Sequence, residues 1–429
     1  MNKTSYIKSN FNLFVATAIG NIFEMFDFFV FVFLSSLLST LFFPHNIGNL
    51  SLVFTYLTIT ISYLLRPVGG IVLGSLGDKY GRKSVFTLSI LCTAIPSVVI
   101  GILPTFDQIG YLATVLLILS RIFQGFSSGA ELPGAITFIA EKYSQKNYYY
   151  YCAWIPFGAN ISIAGGSLLI RAMTNSMSHS FLYSYGWRIP FLSGGVLAVI
   201  GFYIRKHIAE TDQFQALKTQ KKLQKIPVFS LFAMHKTAIV LGTFLALLVS
   251  LVTSIFHLFL PNLFIKYLGL SLQDSTGVSA VGAFTLAIFI LFFAVITYKV
   301  KPVLIARLSI IGLVITFSLL LNKYIVLNNL RNLYIAVIIV SILIAGLNSV
   351  YAGLLVDLFP APVRYSGVAV CFTVAATIGG GLTPLWTSAV LNLTGSYMYI
   401  ILICLIISII CLINIYFLKK YLSKNIYNL

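Results

Sequence analysis

Charge is what this chain has least of. Among 429 residues only 9% are Asp, Glu, Lys or Arg, and just ten are acidic. Soluble domains carry roughly 25% charged residues, so a globular surface facing water on all sides is excluded. With 59% hydrophobic residues and a mean hydropathy of +0.97, the composition is that of an integral membrane protein. The five cysteines (Cys92, Cys152, Cys371, Cys404, Cys411) lie inside apolar runs with no C-x-x-C, which argues against disulfide or metal roles. There is no H-E-x-x-H and no G-x-x-x-x-G-K-[ST], and the one G-x-S-x-G match, Gly125–Gly129, lies within a long apolar run rather than at a strand-to-helix turn. A metalloprotease, a serine hydrolase and an ATP-driven pump are therefore disfavoured, and neither enzyme activity nor a cofactor or metal is expected. The net charge of +18 comes from basic residues in short loops rather than on one face, which speaks against nucleic-acid binding.

What the chain has instead is oil in long runs. A span needs about 20 apolar residues, and twelve candidates follow: 12–43, 52–76, 85–103, 111–140, 149–171, 186–204, 237–264, 276–297, 303–321, 333–356, 365–391 and 397–418. The first follows Lys3 and Lys8 without a small-residue cleavage site and reads as an uncleaved span. An even number of spans places both termini on one side. Loops on that side hold 21 of the 28 Lys and Arg, against five opposite, so the termini are expected in the cytoplasm of a bacterial inner membrane. The longest polar segment divides the chain into an N-terminal bundle (1–204), a linker (205–236) and a C-terminal bundle (237–429). A faint repeat of about 216 residues sets Glu141 against Asp357, each closing a span. Two six-helix bundles with a site between them are what a rocking transporter needs.

Ionisable residues inside the oil are the candidate site. A charge at the bilayer centre costs ~2.5–3.5 kcal/mol on insertion scales, so those retained tend to face a cavity and have partners. Glu24 and Asp27 share a helical face with Asn21 one turn earlier, and Arg121, Gln124, Ser128 and Glu131 form a stripe along span 4. Depth along the helices suggests Arg121 with Asp27 or Glu24, and Arg66 with Glu131. Asp27, Glu131 and Arg121 are expected to face a shared pocket between the bundles. Structural ion pairs that merely lock helices are the plainer alternative. The second half offers His257, Asn262, Asn348, Trp386 and the run Gly379-Gly380-Gly381 ahead of Pro384, with packing the simpler account of His257 and Trp386.

One polar stretch stands out: Gly74-Ser-Leu-Gly-Asp78-Lys79-Tyr-Gly81-Arg82-Lys83, which reads as a charged loop between spans 2 and 3. It matches G-x-x-x-D-[RK]-x-G-R-[RK] at every fixed position and resembles the signature loop of the major facilitator superfamily. Further stretches are Gly20-Asn-Ile-Phe-Glu24-Met-Phe-Asp27-Phe, Arg66-Pro-Val-Gly-Gly, Arg121-Ile-Phe-Gln124-Gly-Phe-Ser-Ser-Gly-Ala-Glu131, Gly186-Trp-Arg188-Ile-Pro-Phe and Leu358-Phe-Pro-Ala-Pro-Val-Arg364-Tyr-Ser-Gly367. In that order they resemble the metabolite:proton symporter branch, the proline/betaine and α-ketoglutarate carriers. The resemblance implies an all-α fold of twelve spans in two bundles, and coupling of Arg121 to a span-1 acid in proton transport. It also implies Asp78 capping span 11 near Val363–Ser366, and Arg82 paired with Glu141. Departures are Glu24-Met25-Phe26-Asp27 for the usual Glu-Trp-Tyr-Asp, Gly129-Ala130-Glu131 for Gly-Gly-Glu, and a short tail without heptads. These speak against osmotic gating and against proline or betaine as cargo.

The function expected is proton-coupled symport of a small carboxylate or zwitterion by a monomer. Asp27, Glu24, Arg121 and Glu131 would couple protons, and Arg66, Asn21, Gln124, Asn348 and Trp386 would meet the substrate. Gly74, Asp78, Gly81, Arg82, Glu141, Asp357 and Arg364 would form the conformational gate. A proton-independent facilitator or exchanger, and a non-transporting nutrient sensor, are the alternatives.

Overall fold

A computed structural model describes residues 20–44, 50–143, 147–224, 227–256, 272–321 and 329–426. Secondary structure is helical throughout the described residues. Eleven of the helices there are long and apolar enough to cross a membrane, and twelve when one bent pair counts as a single span. We number them α1 to α12. The bent pair is α1, Gly20–Phe33 and Ser35–Phe42, turned by 71°. Then come α2 (Leu50–Tyr80), α3 (Arg82–Ile102), α4 (Tyr111–Lys142), α5 (Tyr148–Ser176) and α6 (Arg188–Lys206). The second half holds α7 (Lys236–Ser254), α8 (Leu272–Ile296), α9 (Pro302–Leu320), α10 (Leu330–Asp357), α11 (Ala361–Thr394) and α12 (Met398–Ile426). Two short helices, Asp212–Thr219 and Pro227–Met234, lie between the halves.

Small residues decide which helices touch most closely. A side chain added at Gly69 of α2 would strike the backbone of Phe126, and one at Gly125 or Gly129 of α4 the backbone of Ser62 or Arg66. Gly125 and Gly129 are four apart, so one face of α4 lies flat on α2, as small-xxx-small pairs allow in membranes. The same device recurs in α11. Its Thr377–Gly381 turn is wound more loosely, as a π-helix, and Gly379 meets the backbone of α7 at Leu247 and Leu251. Gly381 lies against the Tyr63 ring of α2.

The halves meet along two seams related by the internal repeat. In one, α2 and α4 pack against α11; in the other, α8 and α10 pack against α5. The stretch around Asp78 differs from the loop expected. α2 continues as helix through Tyr80, and the whole reversal into α3 falls on Gly81, at φ 120°, where only glycine is unstrained. Gly74 is therefore not a turn residue. It lies within α2 and lets Ser366 and Ala369 of α11 approach a would-be Cβ to 3.2 Å.

Candidate functional site

Three acids and three arginines are buried together in the first half, each no more than 4% exposed. Glu24 and Asp27 come from α1, one turn apart on its inner face, and Glu131 from α4. The arginines come from three helices: Arg66 on α2, Arg121 on α4 and Arg205 in the last turn of α6. They pair one to one. Arg121 Nη1 lies 3.3 Å from Asp27 Oδ2, and Arg66 Nη2 lies 3.6 Å from Glu24 Oε1. Arg205 forks onto Glu131, its Nη1 donating to Oε2 at 2.9 Å and its Nη2 to Oε1.

This pairing corrects one expectation. Glu131 is held by Arg205 and by the Ser89 hydroxyl of α3, not by Arg66. Depth along a helix gives no azimuth, and hydropathy had set the edge of span 6 at residue 204, leaving Arg205 in the linker. Each guanidinium also lies over an aromatic ring: Arg121 over Phe31 and Arg205 over Phe86, both 3.5 Å from the centroid, and Arg66 over Tyr63 at 4.0 Å. Such stacking replaces hydration on the face that the carboxylate leaves bare.

The three pairs differ in how well their acids are satisfied. Asp27 accepts from Ser97 of α3, from Gln124 at 3.0 Å and from Arg121. Glu131 accepts from three donors as well. Glu24 has the Ser128 hydroxyl beside it but meets Arg66 only at the outer limit of an ion pair. Among the described residues its Oε2 and the Nε of Arg66 have no hydrogen-bond partner, as holds also for Nε and Nη2 of Arg121. The loosest pair is also the one beside open space. A cavity of about 110 Å³ lies between the halves, lined from α1, α2, α4, α5, α7, α10 and α11. Among the described residues Arg66 is the only charged one lining it. Asn160, Asn348, Ser250 and Ser254 add polar groups, and Phe29, Tyr63, Tyr351 and Phe372 add rings.

The cavity corrects further expectations. Asp27, Arg121 and Glu131 do not line it; they are sealed in contacts within the first half. Gln124 is occupied with Asp27, and Asn21 donates across to the Ile155 carbonyl of α5 at 2.9 Å. Trp386 lies past the wide turn of α11, packed against the apolar core. Of the five substrate residues expected, Arg66 and Asn348 reach this cavity. His257 and Asn262 fall outside the described residues.

At the end where α2 turns into α3, two clusters join the halves. In the first, Asp78 lies against the start of α11. It accepts from the Tyr365 and Ser366 amides at 3.3 and 2.9 Å and from the Ser366 hydroxyl at 2.7 Å. A carboxylate is favoured at a helix N-terminus, where free N–H groups and the macrodipole converge. Arg82 bridges Asp78 (3.2 Å) and Glu141 (3.1 Å) and donates to the Ala361 carbonyl at 2.7 Å. Glu141 also accepts from Thr211 and lies 3.5 Å from Arg364, which in turn donates to Gln213 at 2.6 Å. In the second cluster Asp357, at the end of α10, accepts from the hydroxyls of Tyr148 and Tyr149 on α5. Tyr150 meets Tyr298, between α8 and α9, at 5.6 Å. Sequence reasoning passed over these tyrosines, although four in a row opening a span were a visible signal. It also passed over Glu210, whose carboxylate accepts the Lys83 amide at 3.2 Å.

Comparison with known proteins resolves the identity of this architecture. A sequence profile for the Major Facilitator Superfamily matches residues 17–322. The chain belongs to the Major Facilitator Superfamily. It is 31% identical to a Staphylococcus aureus (strain COL) protein named for proline/betaine transport, over 89% of this chain and 82% of that one. It is 27% identical to a citrate-proton symporter of Salmonella typhi, over 88% of this chain and 86% of the relative. The proton:xylose symporter XylE, bound to 6-bromo-6-deoxy-D-glucose, superposes with a TM-score of 0.76 over 98% of this chain and 97% of XylE. At 16% identity that likeness shows the fold. As a Major Facilitator protein the chain is a membrane transporter and not an enzyme.

Proposed function

We propose that this transporter is a proton-coupled symporter of a small carboxylate or zwitterion, with Arg66 as the substrate's anchor and Glu24 as the proton carrier. The supporting observation is that the one charged side chain on the central cavity, among the described residues, is an arginine held loosely by a buried acid. A guanidinium forks onto carboxylate oxygens, so a bound substrate competes with Glu24 for Arg66. A carboxylate in a dry site that loses its cation is driven to take up a proton. Substrate and proton thus enter together. Among the described residues no acid lines the cavity, while Phe29, Tyr351 and Phe372 offer ring faces, which suits a cation without N–H groups such as a quaternary ammonium. The relatives' names, one for proline/betaine and one for citrate, support a carboxylate-bearing cargo, and the rings on the cavity bring betaine back among the candidates that Met25 and Phe26 had spoken against. In this reading Asp27 and Arg121 form the rigid wall behind the carrier pair.

The bundles 1–204 and 237–429, joined by 205–236, are the rocking bodies, and the basic loops place the termini in the cytoplasm of a bacterial inner membrane. The test is uptake into liposomes under an imposed pH gradient, screening labelled betaine, proline, citrate and 2-oxoglutarate. Glu24→Gln is expected to abolish uphill accumulation while leaving exchange of internal for external substrate. Arg66→Lys keeps the charge but loses the fork, and half-saturation should rise ~10-fold, the scale of one charged hydrogen bond. Accumulation that ignores an uncoupler and survives Glu24→Gln would favour a facilitator or exchanger.

A further inference from the structure

A second opening lies away from the transport path, in the seam between α9 and α12. It is about 440 Å³, larger than the central cavity, and lies at the same end as the α2–α3 turn. Arg307 on α9 and Lys419 and Lys420 on α12 line it, with Tyr416 and Ser423 beside them and apolar side chains of both helices beneath. All three cations are on the outer surface. Their neighbours there are apolar: Leu304 and Leu308 on α9, Ile413 and Phe417 on α12, each at least 46% exposed. That face is the one a bilayer covers. Arg307 lies five residues into its helix, about 7.5 Å from its start, the level of headgroups rather than bulk water.

No carboxylate lines the opening, and none of its three cations forms an ion pair among the described residues. The carboxylates at this end are engaged elsewhere: Asp78 and Glu141 with Arg82, Asp357 with tyrosines, Asp212 with Lys142. The corresponding seam of the first half, between α3 and α6, is resolved differently. There the terminal arginine, Arg205, turns inward to an internal acid. In the second half the cations stay outside, and among the described residues no carboxylate neutralises them.

We propose that the α9–α12 seam is a binding site for one anionic phospholipid. The headgroup phosphate sits among Arg307, Lys419 and Lys420, and an acyl chain lies along the apolar floor. A guanidinium forks onto phosphate oxygens while two ammonium groups supply point charge. Basic pockets between transmembrane helices bind anionic headgroups in this way. This site is independent of the proton-symport reading, since none of its residues lines the central cavity.

Native mass spectrometry of the full chain in detergent, with equal phosphatidylglycerol and phosphatidylcholine, tests it. Wild-type protein should retain one phosphatidylglycerol in preference to phosphatidylcholine. The triple variant Arg307→Gln, Lys419→Gln, Lys420→Gln should bind it roughly a hundred-fold more weakly, on the scale of three juxtamembrane charges. The charge-keeping set Arg307→Lys, Lys419→Arg, Lys420→Arg should retain it. Glycerol 3-phosphate, which lacks acyl chains, should not compete at the same concentration. Undiminished phosphatidylglycerol on the neutral triple variant overturns the proposal. So does competition by glycerol 3-phosphate equal to that of the lipid, which marks a free-phosphate site. Should the neutral variant not purify as a single species, the wild-type arm decides, and equal retention of the two lipids is fatal.

Discussion

A guanidinium inside a membrane protein needs a partner for its charge, acceptors for its N–H groups and cover for its faces. Arg205 has all three: Glu131, the Phe86 carbonyl at 2.7 Å and the Phe86 ring. Arg66 has the ring and a distant acid. That contrast separates a structural pair from a working one. Breaking a buried pair by removing one partner costs roughly 3–5 kcal/mol, because the other charge is stranded, whereas removing both is often near neutral. Arg205→Met is accordingly expected to lower the unfolding midpoint in detergent sharply, and Arg205→Met with Glu131→Gln to recover most of the loss. Transport by the double variant should retain its response to a pH gradient. Loss of that response in a well-folded double variant would move Glu131 into the proton path.

Between helices, the junction of α2 and α3 shows how an element boundary is made from outside. α3 begins without a side-chain cap of its own. Glu210, from beyond the end of α6, supplies the acceptor for the Lys83 amide in its first turn and lies against the bare Cα of Gly81. Burial holds the Glu210 carboxyl above its usual range, although the Thr211 and Lys83 amides and Arg82 oppose this. The folded state therefore binds the proton more tightly than the unfolded one, and the charged form is a net liability. As pH rises out of the ordinary carboxylate range, Glu210→Gln should gain in melting temperature relative to wild type. Glu210→Ala, with no acceptor, should be less stable at every pH, by about 1 kcal/mol as for a lost cap. A wild-type advantage over Gln that grew with pH would reverse the sign and refute the assignment.

The same junction shows what could be read beforehand. The partners of Asp78 and Arg82 followed from the resemblance of these ten residues to the superfamily's signature loop, since spacing within the stretch names neither Glu141 nor Ser366. The turn's extent did not follow, because packing of Gly74 and Gly77 on α11 keeps α2 helical to Tyr80 where composition suggests a loop. The pairing of Arg66 was missed for a related reason. Sequence gives the depth of a side chain, but the azimuth that brings Glu24 rather than Glu131 to it depends on how α1 and α6 are arranged around α2 and α4. Twelve spans were legible because apolar length alone sets them. Which of their charges meets the cavity was not.

On the scale of the molecule, two latches close the same end across different seams. One joins Asp78 and Arg82 of the first half to α11, the other Tyr148 and Tyr149 to Asp357 of α10. They share no residue, and each holds the halves together in the state seen here. If each contributes about 1–2 kcal/mol, its loss shifts the closed-to-open ratio roughly 5–30-fold. Separate sites with no common partner add, so Asp78→Asn combined with Tyr148→Phe and Tyr149→Phe should shift it by the product of the two factors. Spin labels placed at the ends of α4 and α10 would report this as a growing long-distance population, modest for either variant alone and dominant for both. A population that opens fully with Asp78→Asn, and gains nothing from the tyrosine changes, would mean the α5 seam merely follows. In the additive case binding of a substrate that needs the closed state weakens in step, because its apparent affinity scales with the fraction of molecules already in that state.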